Sequence, residues 1–272
     1  MAMPKANELS AVKHGGFTLV ELLVVISIIS LLMSILLPSL SGAREMGKRV
    51  HCLANIRGLT QAWMMYAHEN DDNLCSADTE WDVLEPKYCW VADGSDIPTN
   101  DIGGTAQAIE DGVLWDYAGR TLELYKCKSD TSELLRSYSL CRAMNGKSCN
   151  CEDDNIKPFR SWSEIQGSST KMVFVDAGAK DGVGWLDGSF CAVEQIDANP
   201  PKWFASDTRN ITARHSEGCN MSFADGHCDY WKYSDTRTAD LANWTIGADE
   251  ASTDNPDLEK YVELLWGDGV WE

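Results

Sequence analysis

The amino-acid sequence predicts an α+β protein in which a long N-terminal helix packs against a globular head that contains an antiparallel sheet. Two observations predict this class. The apolar segment Phe17–Leu37 continues into an amphipathic stretch that ends near residue 70. Beyond it, short apolar runs are separated by Gly, Asp, Asn and Pro, a pattern typical of short strands joined by turns. The 272 residues therefore divide into one long helix and one head.

The helix is predicted to begin inside a segment that can span a membrane. Residues 1–16 are polar, and Phe17–Leu37 is about 20 residues long, which is enough to cross a bilayer. Its only formal charge is Glu21. Because an unpaired carboxylate in hydrocarbon costs several kcal/mol, Glu21 predicts a charged partner. A secretory signal would have a shorter apolar core followed by a small-residue cleavage site, and a plain membrane anchor remains the alternative.

The second half of the helix, residues 38–70, is predicted to be amphipathic. Pro38 removes a backbone donor, so we expect a kink there. Apolar residues then recur at spacings of three and four and predict a face that packs beneath the head. They are Cys52, Leu53, Ile56, Leu59, Trp63 and Tyr66. The polar residues 70–73 should end the helix, because short Asn and Asp side chains compete for backbone hydrogen bonds.

The head, residues 71–272, is predicted to contain several short strands and two short helices. The strands are 122–127, 171–176, 190–193, 220–223 and 228–233, and the helices are 113–117 and 258–266. Strands 220–223 and 228–233 flank Asp225 and Gly226, and Asp-Gly supplies the positive φ that a hairpin turn needs. We therefore expect these two strands to form a hairpin, with His215 just before it fixing the corner through hydrogen bonds to backbone.

Composition restricts the compartment and the partners. The net charge is −19, which should repel nucleic acid and anionic lipid surfaces. All ten cysteines follow the apolar segment, and an even number outside the cytoplasm favours disulfides. Free buried thiols are the alternative. The cysteines are Cys52, Cys75, Cys89, Cys127, Cys141, Cys149, Cys151, Cys191, Cys219 and Cys228.

The run Gly16–Glu21 at the head of the apolar segment resembles the class III, prepilin-type signal of type IV pilins and of the pseudopilins of type II secretion. The resemblance covers roughly the first 70 residues. It implies cleavage between Gly16 and Phe17 by a prepilin peptidase, which then methylates the new amine of Phe17. It also implies that Glu21 pairs with the N-terminal amine of a neighbouring subunit. Such a pairing makes the buried carboxylate tolerable.

This resemblance implies a structural subunit of a secretion pseudopilus or a type IV pilus-like filament. Residues 1–16 would be a cytoplasmic leader, the apolar helix a single pass through the inner membrane, and the head periplasmic or extracellular. Implied partners are homologous subunits, the peptidase, an inner-membrane assembly platform and secreted substrates. A membrane-anchored carbohydrate- or substrate-binding protein that forms no polymer is the alternative, since tryptophans in the head could stack on sugar rings if exposed.

A second resemblance lies near the C-terminus. His215, nine intervening residues and then Asp225-Gly226 resemble the tail signature of a large pseudopilin-like family of some bacterial lineages. Cys52-Leu-Ala-Asn-Ile-Arg and Tyr66-Ala-His-Glu-Asn in the predicted helix resemble the same family. That family is described by its architecture, so the resemblance implies no catalytic activity.

Metal sites and catalysis are predicted only weakly by the sequence. Calcium takes carboxylate and carbonyl oxygens, and major pseudopilins often carry it, which makes Asp176, Asp181, Asp187 and Asp225 candidates. A zinc site from His215, Cys219, Asp225, His227 and Cys228 is a second reading, although the chain has no Cys-x-x-Cys. No G-x-S-x-G, Walker or H-E-x-x-H motif is present, so we expect no enzyme and commit to no cofactor.

Overall fold

A computed structural model describes residues 17–78, 88–92, 105–146, 157–178, 189–190, 202–203 and 210–267. These residues fall into two compact units. The first ends at Arg44 and the second begins at Glu45. The predicted leader, residues 1–16, lies outside the described residues.

Helix α1, Leu19–Glu69, confirms the long N-terminal helix. It continues through Pro38. Since proline has no N–H, the helix lacks one backbone hydrogen bond there, and a kink at this point stays a prediction. The helix ends as predicted in the Asn- and Asp-rich segment. Asp71 and Asp72 adopt positive φ angles of 55° and 64°, and the Asp72 amide donates to the carbonyl of Ala67 at 2.9 Å.

The second half of α1 belongs to the core of the second unit. Its buried residues recur at the spacing predicted from sequence, with four polar or small additions, whereas the predicted Leu53 is only half-buried. The buried residues are Cys52, Asn55, Ile56, Leu59, Thr60, Ala62, Trp63, Tyr66 and Ala67. This face therefore forms one wall of the core, as an amphipathic stripe requires.

The sheet has six strands in the described part of the chain. They are β1 Tyr138–Cys141, β2 Met172–Gly178, β3 Ser189–Phe190, β4 Asn210–Ile211, β5 Gly218–Phe223 and β6 Cys228–Lys232. The order along the main path is β3-β1-β2-β5-β6, and β4 also pairs with β2. Strands β1, β2, β5 and β6 form a continuous antiparallel sheet, and β3 adds to β1 in parallel. The predicted α+β class with an antiparallel sheet agrees with this architecture.

Side-chain alternation on β5 shows that the sheet is covered on both faces. On one face, Ser222 is hydrogen-bonded to Thr60 of α1 at 2.6 Å. On the other face, the thiol of Cys219 lies 3.0 Å from the hydroxyl of Tyr261. Tyr261 belongs to helix α5, Pro256–Trp266. Because successive strand residues point to opposite faces, α1 and α5 lie on the two sides of the sheet.

The remaining helices are short. They are α2 Ala106–Glu110, α3 Thr236–Ala242 and α4 Ala248–Ser252. Two of them, α2 and α3, begin with a side-chain cap, from Thr105 and Asp235. The side chain of Asn255 accepts hydrogen bonds from the amides of Asp257 and Leu258 at the start of α5, as an N-cap does. The predicted helix 258–266 is thus confirmed, with its start two residues earlier.

Two sequence predictions are wrong in detail. Residues 122–127 do not form a strand, because Leu122–Tyr125 is a 3-10 helix. Residues 113–117 form turns rather than a helix. The hairpin prediction is confirmed: β5 pairs with β6, and Gly226 in the connection has a φ of 88°. Predicted strand residues 191–193 lie outside the described part.

Candidate functional site

The first half of α1 presents an apolar surface that the described structure leaves uncovered. Every large apolar side chain from Phe17 to Leu37 is at least 45% exposed. By length and composition, the helix can cross a membrane. Exposed apolar surface of this extent requires lipid or other protein as its surroundings.

Thr18 and Glu21 form a reciprocal cap at the start of this helix. The Glu21 carboxylate accepts from the Thr18 amide at 2.9 Å and from the Thr18 hydroxyl at 2.8 Å. The Glu21 amide donates back to the Thr18 hydroxyl oxygen at 3.2 Å. This is the Thr-x-x-Glu capping box. The box holds the Glu21 carboxylate at the amide of Thr18, the residue that follows Phe17. Gly16, the residue before the predicted cleavage point, lies outside the described residues.

A second candidate site lies deep in the head, where Cys52, Cys127 and His215 meet. Their sulfur and nitrogen atoms all lie within 4.8 Å of one another. We call these three residues the thiol–histidine cluster. Cys52 comes from the buried face of α1, Cys127 follows the 3-10 helix Leu122–Tyr125, and His215 precedes β5. All three are fully buried.

Both ring nitrogens of His215 have defined neighbours. Nε2 lies 3.3 Å from the sulfur of Cys127, and Nδ1 lies 3.0 Å from Oε1 of Glu45. The hydroxyl of Ser129 donates to the same Glu45 oxygen at 3.2 Å, and the backbone amide of Ser129 donates to the Cys127 sulfur at 3.4 Å. The imidazole is therefore held between a carboxylate on one side and sulfur on the other.

Asp176 of β2 adds a carboxylate to the cluster. Its Oδ2 lies 3.6 Å from Nε2 of His215 and accepts the backbone amide of Asn220 at 2.9 Å. Asp176 is fully buried, and its second oxygen, Oδ1, has no hydrogen-bond partner among the described residues. A buried carboxylate oxygen without a partner is costly.

The two thiols and the neighbouring charges change one another's proton affinity. A hydrogen bond from Cys127 lowers the pKa of Cys52 to about 4, whereas hydrogen bonding to Cys52 and burial raise the pKa of Cys127. Burial raises the pKa of Asp176 to about 6. Burial alone would lower the pKa of His215, but the bond to Cys52 and the charge of Asp176 raise it overall.

The residues of the C-terminal signature separate in the structure. His215 lies in the thiol–histidine cluster, and its ring binds side chains rather than the turn backbone. Asp225 and Gly226 form the β5–β6 turn, where Asp225 accepts the amide of His227 at 3.0 Å. The register pairs Met172 with Phe223, so Asp225 lies beyond one end of β2.

That register also separates two of the calcium candidates. Asp176 lies four residues along β2 from Met172, away from Asp225, so these two carboxylates do not share a site. The candidates Asp181 and Asp187 lie outside the described residues. A calcium site that includes them stays a prediction.

The structure brings His215 of the zinc reading together with Cys52 and Cys127, and not with Cys219 or Cys228. The sulfur of Cys219 lies against Tyr261 on the opposite face of the sheet, and Cys228 opens β6. Sequence reasoning missed Cys52 and Cys127 as partners of His215 because no short spacing joins them. The position of Cys52 on the buried stripe was the one signal in the sequence. Cys52, Cys75, Cys127, Cys219 and Cys228 are thiols and not disulfide halves, while Cys149, Cys151 and Cys191 lie outside the described part.

Comparison with known proteins places the N-terminal segment. Residues 12–37 match the model of the prokaryotic N-terminal methylation motif. No curated protein matches the chain. No solved structure matches it either.

The match defines the class of signal that the chain carries, a prepilin-type N-terminal motif of the type IV pilin kind. The match supports the interpretation of the chain as a type IV pilin-family subunit, and it implies processing by a prepilin peptidase. The motif and the single apolar helix at the N-terminus are consistent with single-pass anchoring in the inner membrane. The match ends at Leu37, and the head lies beyond it.

Proposed function

We propose that the chain is a structural subunit that polymerises through helix α1 into a type II secretion pseudopilus or a type IV pilus-like filament. The proposal depends on one observation, the methylation motif at residues 12–37. The motif overlaps a segment whose large apolar side chains are exposed from Phe17 to Leu37. A helix of this kind can leave lipid only for another apolar environment, and a bundle of identical helices provides one.

In this proposal Glu21 sets the register between subunits. Cleavage after Gly16 would free the amine of Phe17, which is adjacent to the capping box of Thr18 and Glu21. An ammonium from a neighbouring subunit can pair with the Glu21 carboxylate, which removes the cost of a lone charge in an apolar bundle. The head would face the periplasm or the exterior and provide the variable surface. The role is mechanical, so we propose no catalytic activity.

Substitution of Glu21 tests the proposal directly. Glu21→Ala and Glu21→Gln should abolish filament or pseudopilus assembly, because neither can pair with an ammonium. The matched control is Glu110→Ala, which removes an exposed carboxylate from α2 and should assemble normally. Circular dichroism of the purified chain in detergent confirms that the head is folded in each variant. Normal assembly of Glu21→Ala would contradict the role of Glu21 in setting the register, and a wild-type chain that forms no filament would instead favour a tether that does not polymerise.

Mass spectrometry of the mature N-terminus tests the processing step separately. We expect a chain that begins at Phe17 and carries one methyl group on its amine. A chain recovered with residues 1–16 attached would contradict the proposal, whatever its state of assembly.

The alternative, a membrane-anchored sugar-binding protein, depended on exposed tryptophans. Among the described residues no tryptophan is exposed: Trp63, Trp90, Trp203 and Trp231 are buried, and Trp115, Trp162, Trp244 and Trp266 are half-buried. Trp81, Trp185 and Trp271 lie outside the described part. Core packing explains the tryptophans that are described, which favours the structural role over the sugar-binding one.

A further inference from the structure

We propose that the head binds one zinc ion through the sulfurs of Cys52 and Cys127, Nε2 of His215 and the carboxylate of Asp176. This site is separate from the assembly function, since none of its residues lies in the apolar segment Phe17–Leu37. It would join α1, the segment after the 3-10 helix, β2 and the loop before β5.

The spacing of the donor atoms fits tetrahedral zinc. Zinc–sulfur bonds of about 2.3 Å and zinc–nitrogen bonds of about 2.0 Å place sulfur and nitrogen ligands roughly 3.5 Å apart. The observed separations are 3.3 Å between Cys127 Sγ and His215 Nε2 and 3.6 Å between Asp176 Oδ2 and the same nitrogen. The ligand atoms of Cys52, Cys127 and His215 all lie within 4.8 Å of one another, so binding of zinc would draw the sulfurs and the Asp176 carboxylate closer together, by roughly 1 Å.

The chemistry of the donor set selects zinc over calcium. Two thiolates and an imidazole are the donors that zinc prefers, whereas calcium takes oxygen ligands. The backbone amide of Ser129 donates to the Cys127 sulfur at 3.4 Å, and such a bond favours the anionic sulfur that binds a metal.

The surroundings of His215 match the usual outer shell of a metal-bound histidine. Such a histidine binds metal through one ring nitrogen and donates the other N–H to a carboxylate. Here Nε2 faces the sulfur, and Nδ1 lies 3.0 Å from Glu45. Ser129 in turn donates to Glu45.

Asp176 provides independent support from burial. Its Oδ1 is fully buried without a hydrogen-bond partner among the described residues, and its Oδ2 lies 3.6 Å from Nε2 of His215. A metal ion bound to Oδ1 would give this buried oxygen a partner. Since all four side chains are buried and supply four ligands, the site would be closed and structural.

Metal analysis of the full-length processed chain in detergent tests the proposal first. We expect about one zinc ion per chain after extensive dialysis. X-ray absorption of the zinc protein should show two sulfur and two nitrogen or oxygen ligands. Cobalt substituted for zinc should give the absorption of a tetrahedral thiolate complex. These measurements need no variant, so they stand even if a variant misfolds.

Variants then assign the ligands. Cys52→Ser and His215→Gln should each reduce bound zinc at least tenfold, and Glu45→Gln should weaken zinc affinity roughly 10- to 100-fold. The matched control is Cys75→Ser, which removes another fully buried thiol outside the cluster and should retain its zinc.

Three outcomes would overturn the proposal. The first is a metal-free chain whose peptide map shows a Cys52–Cys127 disulfide, because a disulfide would consume both sulfur ligands. The second is zinc that remains bound in Cys52→Ser and His215→Gln, which would place the metal elsewhere. The third is a zinc shell without two sulfurs.

Discussion

The Thr18 hydroxyl donates to the Glu21 carboxylate at 2.8 Å and accepts the Glu21 amide at 3.2 Å. The two side chains thereby cap the first turn of helix α1. The acidic group that the prepilin-type motif supplies therefore has a local role in the single chain as well as a proposed role between chains. Its two roles can be separated by changing its partner, Thr18, and leaving the acid in place.

Thr18→Val should loosen the first turn of α1. The variant keeps the shape of the side chain and removes the capping oxygen, which costs about 1 kcal/mol. Amide hydrogen exchange of the first-turn residues in detergent should then be roughly fivefold faster. Ser27→Ala, which removes a hydroxyl bonded to the Leu23 carbonyl and caps nothing, should leave that exchange unchanged. Equal exchange in wild type and Thr18→Val would show that the box does not stabilise the helix start.

Asp130 should make the stability of the head depend on acid pH. Burial opposes ionisation of Asp130, but the Arg214 guanidinium and bonds from Ser137 and Ser132 hold the pKa of its carboxyl below the usual value. A lowered folded-state pKa contributes stability above the unfolded-state pKa, about 3.9, and loses it as pH falls through the folded value.

Asp130→Asn should accordingly lower the free energy of unfolding by about 2 kcal/mol at neutral pH. The difference from wild type should shrink as the pH falls below about 4. Urea unfolding in detergent, followed by tryptophan fluorescence, measures both values. The exposed Asp240→Asn serves as control and should change the free energy by less than about 0.5 kcal/mol. A difference that stays constant down to strong acid would contradict this account of Asp130.

Ser222 should be more important for stability than its partner Thr60. Its hydroxyl oxygen accepts the Phe174 amide at 3.1 Å, where the β2–β5 register shifts between Met172 and Val175. Ser222→Ala leaves that buried amide unpaired, and we expect a loss of about 2 kcal/mol. Thr60→Val removes the other hydroxyl and leaves the amide bonded, so its loss should be smaller. The same urea titration compares the two, and the reverse order would contradict the assignment.

Two glycines should respond in opposite ways to alanine. Gly226 has a φ of 88° in the β5–β6 turn, so Gly226→Ala should lower stability by about 1 kcal/mol. Gly47 lies in α1, and an added methyl there meets no atom within 4 Å. Gly47→Ala should raise helix stability by up to about 1 kcal/mol. Thermal unfolding of the two variants measures the contrast, and a stabilised Gly226→Ala would rule out the turn conformation.

The sequence predicted the elements whose pattern is local. The buried stripe of α1 repeats every three to four residues, and Asp225-Gly226 marks a turn, so both were accessible without tertiary information. The prediction of a strand at 122–127 is wrong because a residue distant in sequence decides the local backbone conformation. The side-chain Nδ2 of Asn55 donates to the backbone carbonyls of Glu123 and Lys126 at 2.9 and 3.0 Å. These bonds hold a tight turn there in place of a strand.

The thiol–histidine cluster could not be predicted for a related reason. Cys127 and His215 are 88 positions apart, and the sequence shows only that each is a residue type that binds metals. Strand β1 was missed because Tyr138-Ser139-Leu140-Cys141 alternates polar and apolar residues weakly, yet all four are buried. In both cases, burial of polar groups is decided by partners that only the fold brings together.

The outermost strand of the main sheet path, β6, differs from its neighbour β5. Every residue of β5 is buried, whereas only Trp231 of β6 is buried, and Asp229 and Lys232 are exposed. Charges on a border strand discourage backbone pairing with another molecule. In a filament of the proposed kind, neighbouring heads would therefore keep their sheets separate and not join them edge to edge into amyloid-like ribbons.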